Sequence, residues 1–274
     1  MRQSRCGVWP RRTGKANSGR RRTGNPVEGR PRSPADATTF REVPRRTPPI
    51  AGRYVLLEEI GRGGAGSVHR ARDLWLRRYV AAKVVRGPGA AELARERAHR
   101  VDHPHVLAPW GWAAEDDLAL IAMELVPGGS LRDLVARDGP LPAPLAAHLL
   151  GQLLDALAAV HATGVVHGDV KPANLLLRAG VRPHLLLADF GVATRAGRPA
   201  PVAGTPSYLP AERLAGAPPH PSQDVYAAGL VARRSLDGSS PLLTLCDSMT
   251  RADPERRPTA AAALRRLRDL TGPG

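Results

Sequence analysis

The stretch that decides the fold reads His167-Gly168-Asp169-Val170-Lys171-Pro172-Ala173-Asn174, followed after an apolar run by Asp189-Phe190-Gly191. It sets two carboxylates, one amide and one ammonium at fixed intervals around a predicted β-hairpin. A lone aspartate in a loop is usually a cap or turn residue. Asp169, Lys171, Asn174 and Asp189 together form a chemical set.

Upstream, residues 54–60 alternate like a strand, and Ile60-Gly61-Arg62-Gly63-Gly64-Ala65-Gly66-Ser67-Val68 follows. Glycines let a backbone approach phosphate and present N–H groups to it. This cluster lies between two predicted strands rather than before a helix, which argues against a dinucleotide-binding loop. Strands are predicted at 67–72, 79–85 and 118–123, and a charged, Ala-rich helix at 90–100. Pro127-Gly128-Gly129 then breaks the chain. Downstream, Leu145, Leu149, Leu153, Ala156, Leu157 and Val160 recur at three and four, the stripe of a core helix. Further helices are predicted near 224–234, 241–250 and 258–270.

These motifs resemble eukaryotic-like (Hanks-type) bacterial serine/threonine protein kinases over about residues 53–271. The resemblance implies an α+β, two-lobed kinase fold with a small strand-rich N-lobe and a larger helical C-lobe. It divides the chain into residues 1–50, 51–126 (N-lobe) and 127–271 (C-lobe). It implies ATP as phosphoryl donor, magnesium as metal with manganese as the substitute, and a protein acceptor of unknown identity. Asp169 would orient the acceptor hydroxyl, Lys171 would stabilise the γ-phosphoryl, and Asn174 and Asp189 would bind the metal. Lys83, in Val80-Ala81-Ala82-Lys83, would contact the α/β-phosphates and pair with a helix glutamate. Glu96 is the choice for that glutamate and Glu92 its rival. Gly61, Gly63, Gly64, Gly66, Val68 and Ala81 would enclose the nucleotide with Leu176. Met123 would be the gatekeeper, and Glu124 and Val126 would offer backbone groups to adenine. Lys15, Lys83 and Lys171 are the only lysines, against 37 arginines. Both lysines outside the tail thus stand where the resemblance puts a compact ammonium rather than a planar fork.

Gly168 stands where many of these kinases carry an arginine that pairs with a phosphorylated activation segment. His-Gly-Asp also resembles the aminoglycoside and choline kinases, which leaves a small-molecule phosphotransferase as one alternative and a nucleotide-binding pseudokinase as another. Gly204-Thr205-Pro206-Ser207-Tyr208-Leu209-Pro210-Ala211-Glu212 resembles a peptide-docking segment, with its Ala-Pro-Glu end swapped to Pro-Ala-Glu. Glu212 and Arg257 are expected to form a buried pair, and Thr205 to hydrogen-bond near Asp169 and Lys171. Thr194 and Ser207 are candidate phosphosites. Only 33 positions separate Asp224 from Arg257, so a shortened C-lobe is expected, as is a weakly docked helix at 90–100, where Arg100 replaces an apolar residue.

The net charge is +15, from 40 Lys and Arg against 25 Asp and Glu. Residues 1–50 hold 13 of the basic and three of the acidic residues, so +10 lies in the tail. That segment has almost no apolar periodicity and is read as disordered. Its charge permits contact with nucleic acid or anionic lipid, but it lacks aromatic interleaving and a folded basic face, so no such partner is assigned. Cys6 and Cys246 are too far apart in sequence for a metal motif, and a reducing compartment fits. No apolar run is seen to approach the ~20 residues of a bilayer span, and no apolar stretch of the kind a signal peptide needs follows the basic N-terminus. The chain is therefore read as cytoplasmic with no membrane span.

Overall fold

The computed structural model describes residues 4–8, 48–63, 66–87, 90, 101–180, 182–238 and 240–272. Six strands form one antiparallel sheet: β1 (Ser4–Val8), β2 (Tyr54–Gly63), β3 (Gly66–Asp73), β4 (Arg78–Arg86), β5 (Pro109–Glu115) and β6 (Leu118–Met123). Their spatial order is β1-β5-β6-β4-β3-β2. β4 lies inside the sheet and is buried from Val80 to Val85. Side chains alternate across a strand, so Val80, Ala82 and Val84 pack with Tyr54, Ala71, Ala113 and Leu120. Val85 packs on the opposite face with Ala90, Ala114, Ala119 and Ile121. Lys83 shares that second face by register.

β2 runs beyond the predicted 54–60, so the glycine-rich stretch is the tip of the β2–β3 hairpin, with Gly61 opposite Val68 and Gly63 opposite Gly66. A Cβ on Gly66 would lie 2.1 Å from the Val84 carbonyl oxygen, and its φ is +128°; only glycine fits there. β5 escaped sequence reading because Pro109 and Gly111 are poor strand residues; a register irregularity between them absorbs the fault. β1 corrects the reading of residues 1–50 as wholly without structure. Ser4–Val8 pairs antiparallel with Glu115–Gly111 and covers the edge of the sheet. Gly64, Glu92, Glu96 and Arg100, and the predicted helix beyond Ala90, lie outside the described residues.

The second part holds α1 (Leu131–Asp138), α2 (Ala143–Ala162), β7 (Val165–Val166), β8 (Leu175–Arg178), β9 (His184–Leu187), β10 (Thr194–Arg195), α3 (Ala211–Leu214), α4 (Pro221–Ser235), α5 (Leu242–Met249) and α6 (Ala260–Thr271). α2 is its axis: Leu149, Leu150, Leu153, Leu154, Leu157 and Val160 are all buried in one apolar core with residues of α4, α5 and α6. By length and composition α2 could cross a membrane, which corrects the expectation that no run approaches that length; its apolar residues fill this core instead. Between α4 and α5 the chain spends only residues 236–241, and Leu236 bridges to Leu141. That short connection lies within the Asp224–Arg257 interval on which the expectation of a shortened C-lobe rests. Gly229 permits it to be tight, since a Cβ there would lie 2.9 Å from Met249 and Thr250.

Candidate active site

The site lies where β7, the β8–β9 hairpin and the start of α4 meet the sheet. β8 and β9 pair from Leu175–Leu187 to Arg178–His184. At the open end of the hairpin the Ala188 N–H donates to the Asn174 carbonyl at 2.9 Å. That bond sets Asn174 beside the residue preceding Asp189.

The loop after β7 is held from below by a buried aspartate. Asp224 Oδ2 accepts from the His167 N–H at 2.8 Å and Oδ1 from the Gly168 N–H at 2.8 Å. His161 Nε2 lies 2.9 Å from Oδ2. Burial pushes the Asp224 carboxyl up, but the bond from His161, the nearby imidazoles and the Gly168 N–H outweigh it and hold it below the ordinary range. His167 is fully buried; its Nε2 donates to the Ala188 carbonyl at 3.0 Å and its Nδ1 accepts from the Asp169 N–H at 3.3 Å. Its ring edge meets Phe190, with centroids 4.8 Å apart. Gly168 has φ +77°, and a Cβ on Gly204 would lie 2.3 Å from the Gly168 carbonyl oxygen. The two glycines let the 204–212 segment touch the loop backbone to backbone.

This frame brings Asp169, Lys171, Asn174 and Thr205 together. Asp169 Oδ1 accepts from the Thr205 N–H at 2.9 Å and its hydroxyl at 2.8 Å. Oδ2 accepts from Asn174 Nδ2 at 3.0 Å and lies 2.7 Å from Lys171 Nζ. Lys171 Nζ also donates to Thr205 Oγ1 at 2.8 Å. Because the Asn174 amide nitrogen is committed to Asp169, its oxygen is left as an acceptor. Asp189 has φ +65° and pairs with Lys83, and it accepts from the Gly191 N–H at 3.0 Å. Burial raises the Asp189 carboxyl, but the Lys83 charge and hydrogen bond win and hold it below the ordinary carboxylate range.

Lys83 therefore meets Asp189. Its sequence-predicted partners Glu96 and Glu92, and Gly64, lie outside the described residues. Gly61, Gly63, Gly66 and Val68 lie on the hairpin above, with Val68 opposite Lys83 and Ala81 opposite Met123. Met123, Val126 and Leu176 share an apolar cluster with Leu107, Leu186 and Ala188. Glu124 is engaged by its side chain: Arg178 Nε and Nη2 donate to its two oxygens at 2.6 Å each. Glu212 accepts from Arg257 at 2.6 and 3.1 Å, the expected pair. Sequence reading missed Arg178 and Arg213. One arginine among 37 carries no signal of its partner, although Arg213 directly follows the singled-out Glu212.

Beside Asp169 a cavity of about 340 Å³ opens between the loop at Gly168, residues 191–194, residues 200–205 and α4. Among the described residues no group of three or more His, Cys, Asp or Glu could hold a metal ion, so protein donors near Asp189 number few.

Residues 54–243 match the protein kinase domain family. The chain is 32% identical over 272 residues to the serine/threonine-protein kinase PkaA of Streptomyces coelicolor, covering 80% of this chain and 50% of that protein. It is 35% identical over 220 residues to the serine/threonine-protein kinase PknB of Mycobacterium leprae, covering 72% and 34%. It is 33% identical over 205 residues to the serine/threonine-protein kinase PrkC of Bacillus subtilis, covering 70% and 31%. The chain spans half or less of the length of these relatives.

Proposed function

This chain belongs to the protein kinase family, and we propose that it transfers the γ-phosphoryl group of ATP to serine or threonine hydroxyls of a protein. The observation that carries this reading is the convergence of Asp169, Lys171, Asn174 and Thr205 beside the Lys83–Asp189 pair. Four donors fix the Asp169 carboxylate, so an acceptor hydroxyl meets a preoriented base. The hydroxyl oxygen forms the new bond to the γ-phosphorus, its proton passes to Asp169, and the bond to the β–γ bridging oxygen breaks to leave ADP. Lys171 offsets charge on the group in transit, and Lys83 on the α- and β-phosphates. The β2–β3 hairpin covers the phosphates. Met123, Val126 and Leu176 line the adenine face, and Glu124 and Val126 offer it backbone groups. Residues 51–126 and 127–271 are the two lobes of this machine.

Asp189 and Asn174 suit a divalent cation: both offer hard oxygens, and the hairpin end brings them to one place. With so few protein donors, the cation would draw its remaining ligands from outside the chain, a mode that would favour magnesium, with manganese as its substitute. Held there by Asp189 and Asn174, a cation would supply neutralisation of phosphate charge. The segment carrying Thr205, pinned by Glu212–Arg257, is the surface for a protein acceptor. The buried, unbridged Cys246, its thiol pushed up to about 11 by burial, suits a reducing cytoplasm.

The test is incubation with γ-labelled ATP, magnesium and a generic basic protein. Label on serine or threonine is expected, with Lys83→Met and Asp189→Asn each reduced about 10²-fold or more. Wild-type incorporation no higher than either variant would contradict it, and label confined to small molecules would replace the protein acceptor with a metabolite.

A further inference from the structure

Arg213 sits in α3, one residue after Glu212, and is only 5% exposed. A buried guanidinium is costly unless every face is hydrogen-bonded. Arg213 meets that demand with neutral acceptors. Its Nη1 donates to the carbonyls of Ala217 at 2.7 Å and Ala200 at 3.3 Å, and its Nη2 to Ala200 at 3.3 Å and to Pro201. Ala217 belongs to the turn after α3, whereas Ala200 and Pro201 belong to the segment between Asp189 and Thr205. One planar fork thus ties that segment to the helix that Arg257 anchors from the other side.

The tie matters because packing beneath the segment is thin. Ala200, Pro201 and Ala203 line the cavity of about 340 Å³, which Gly168 and Asp169 line from the loop side. The pairing of β10 with β7 holds the upstream part, together with backbone bonds from the Ala196 N–H to the Gly164 carbonyl and from the Gly197 N–H to the Pro219 carbonyl. Thr205 holds the downstream part through Asp169. Among the described residues, the side-chain hydrogen bonds to the stretch between come from Arg213.

The geometry points to Arg213 as a positioning residue that orders the segment leading to Thr205 through backbone carbonyls, so that the acceptor site is formed without a phosphate on that segment. This rests on the protein-kinase reading, with Gly168 removing one arginine from the loop and Arg213 supplying another from α3. An ammonium on Lys would reach fewer of the carbonyls than the fork does.

Hydrogen exchange on the full, unphosphorylated chain tests the idea without recourse to activity. Wild type is expected to protect Ala196 and Gly197. Arg213→Gln is expected to exchange about tenfold faster or more across 196–204, with α2 and α4 unchanged, because the tie costs several charge-assisted bonds when cut. Arg213→Lys should fall between the two, and it decides the matter if Arg213→Gln loses protection in α2 and α4 as well. In the phosphorylation assay the local defect should raise KM for the protein acceptor about tenfold, leaving KM for ATP in place. Wild-type exchange in both variants, or a wild-type segment that is protected only after phosphorylation, would overturn the inference. Absence of phosphoryl transfer in wild type would remove the kinase reading but leave the exchange result standing.

Discussion

His167 shows how a single residue can serve geometry rather than chemistry. Burial holds its imidazole below the ordinary value of 6.5, and its two nitrogens are spent on the Ala188 carbonyl and the Asp169 N–H. The folded protein therefore resists the proton that the unfolded chain accepts near pH 6.5. Stability from this term is complete above that pH and falls as pH drops below it, by at most about 1.4 kcal/mol per pH unit. His105, also pushed down mainly by burial, acts in the same direction. Urea unfolding at pH 7.0 and 5.5, values on the order of one to two units apart, should show the loss, and His167→Gln should be less stable yet less sensitive to pH. Equal pH dependence in the two proteins would contradict this account. That Asp169, Lys171, Asn174 and Asp189 belong together in a candidate site was legible because they carry spacing in the sequence. His161 and Arg178 were not, because a partner 63 or 54 positions away leaves no local pattern.

At the scale of elements, the connection between sheet and helices is fastened rather than loose. Glu124, just past β6, pairs bidentately with Arg178 at the end of β8. The Leu177 N–H donates to the Gly129 carbonyl at 2.9 Å, and a Cβ on Gly128 would lie 2.0 Å from the Leu177 carbonyl oxygen. The linking segment is therefore registered on β8 by these contacts and the Ser130–Leu176 bridge, and Leu176 packs with Met123 and Val126. Reversing one charge, as Arg178→Glu, should raise the ATP KM several-fold, about 1 kcal/mol for a half-exposed pair. The double swap Glu124→Arg with Arg178→Glu should recover part of it. No recovery would mean that the pair does not position the strand. Glu212–Arg257 fastens α3 to the loop before α6. Arg257 is buried, so Glu212→Ala leaves an uncompensated charge and should cost about 3 kcal/mol in chemical unfolding. Strands β2, β3, β4 and β6 and helices α2 and α4–α6 could be read from period and turn residues. β5 could not, because Pro109 and Gly111 speak against a strand while its pairing with β6 and β1 overrides them. β1 was hidden for a similar reason: a short edge strand inside a polar tail gains its bonds from a distant partner.

For the molecule as a whole, the sheet brings Lys83 and the helical part brings Asp169, Asn174 and Asp189, and the Lys83–Asp189 pair joins them. Neither half holds the set alone, and the site exists only where both are folded. The two-part architecture was legible because strand period gives way to helix period at Pro127-Gly128-Gly129. The membrane question was not legible from composition alone, since α2 has the length and apolarity of a span and only packing against α4 and α6 shows where its leucines go. The central claim is that Asp169 is the preoriented base of phosphoryl transfer to a protein hydroxyl. The most direct measurement is single-turnover transfer from γ-labelled ATP to a basic protein, compared between wild type and Asp169→Asn, with nucleotide binding measured alongside. The account predicts unchanged ATP affinity and a transfer rate lowered by about 10²-fold or more. Transfer by Asp169→Asn at the wild-type rate, or a loss explained entirely by weaker ATP binding, would contradict it.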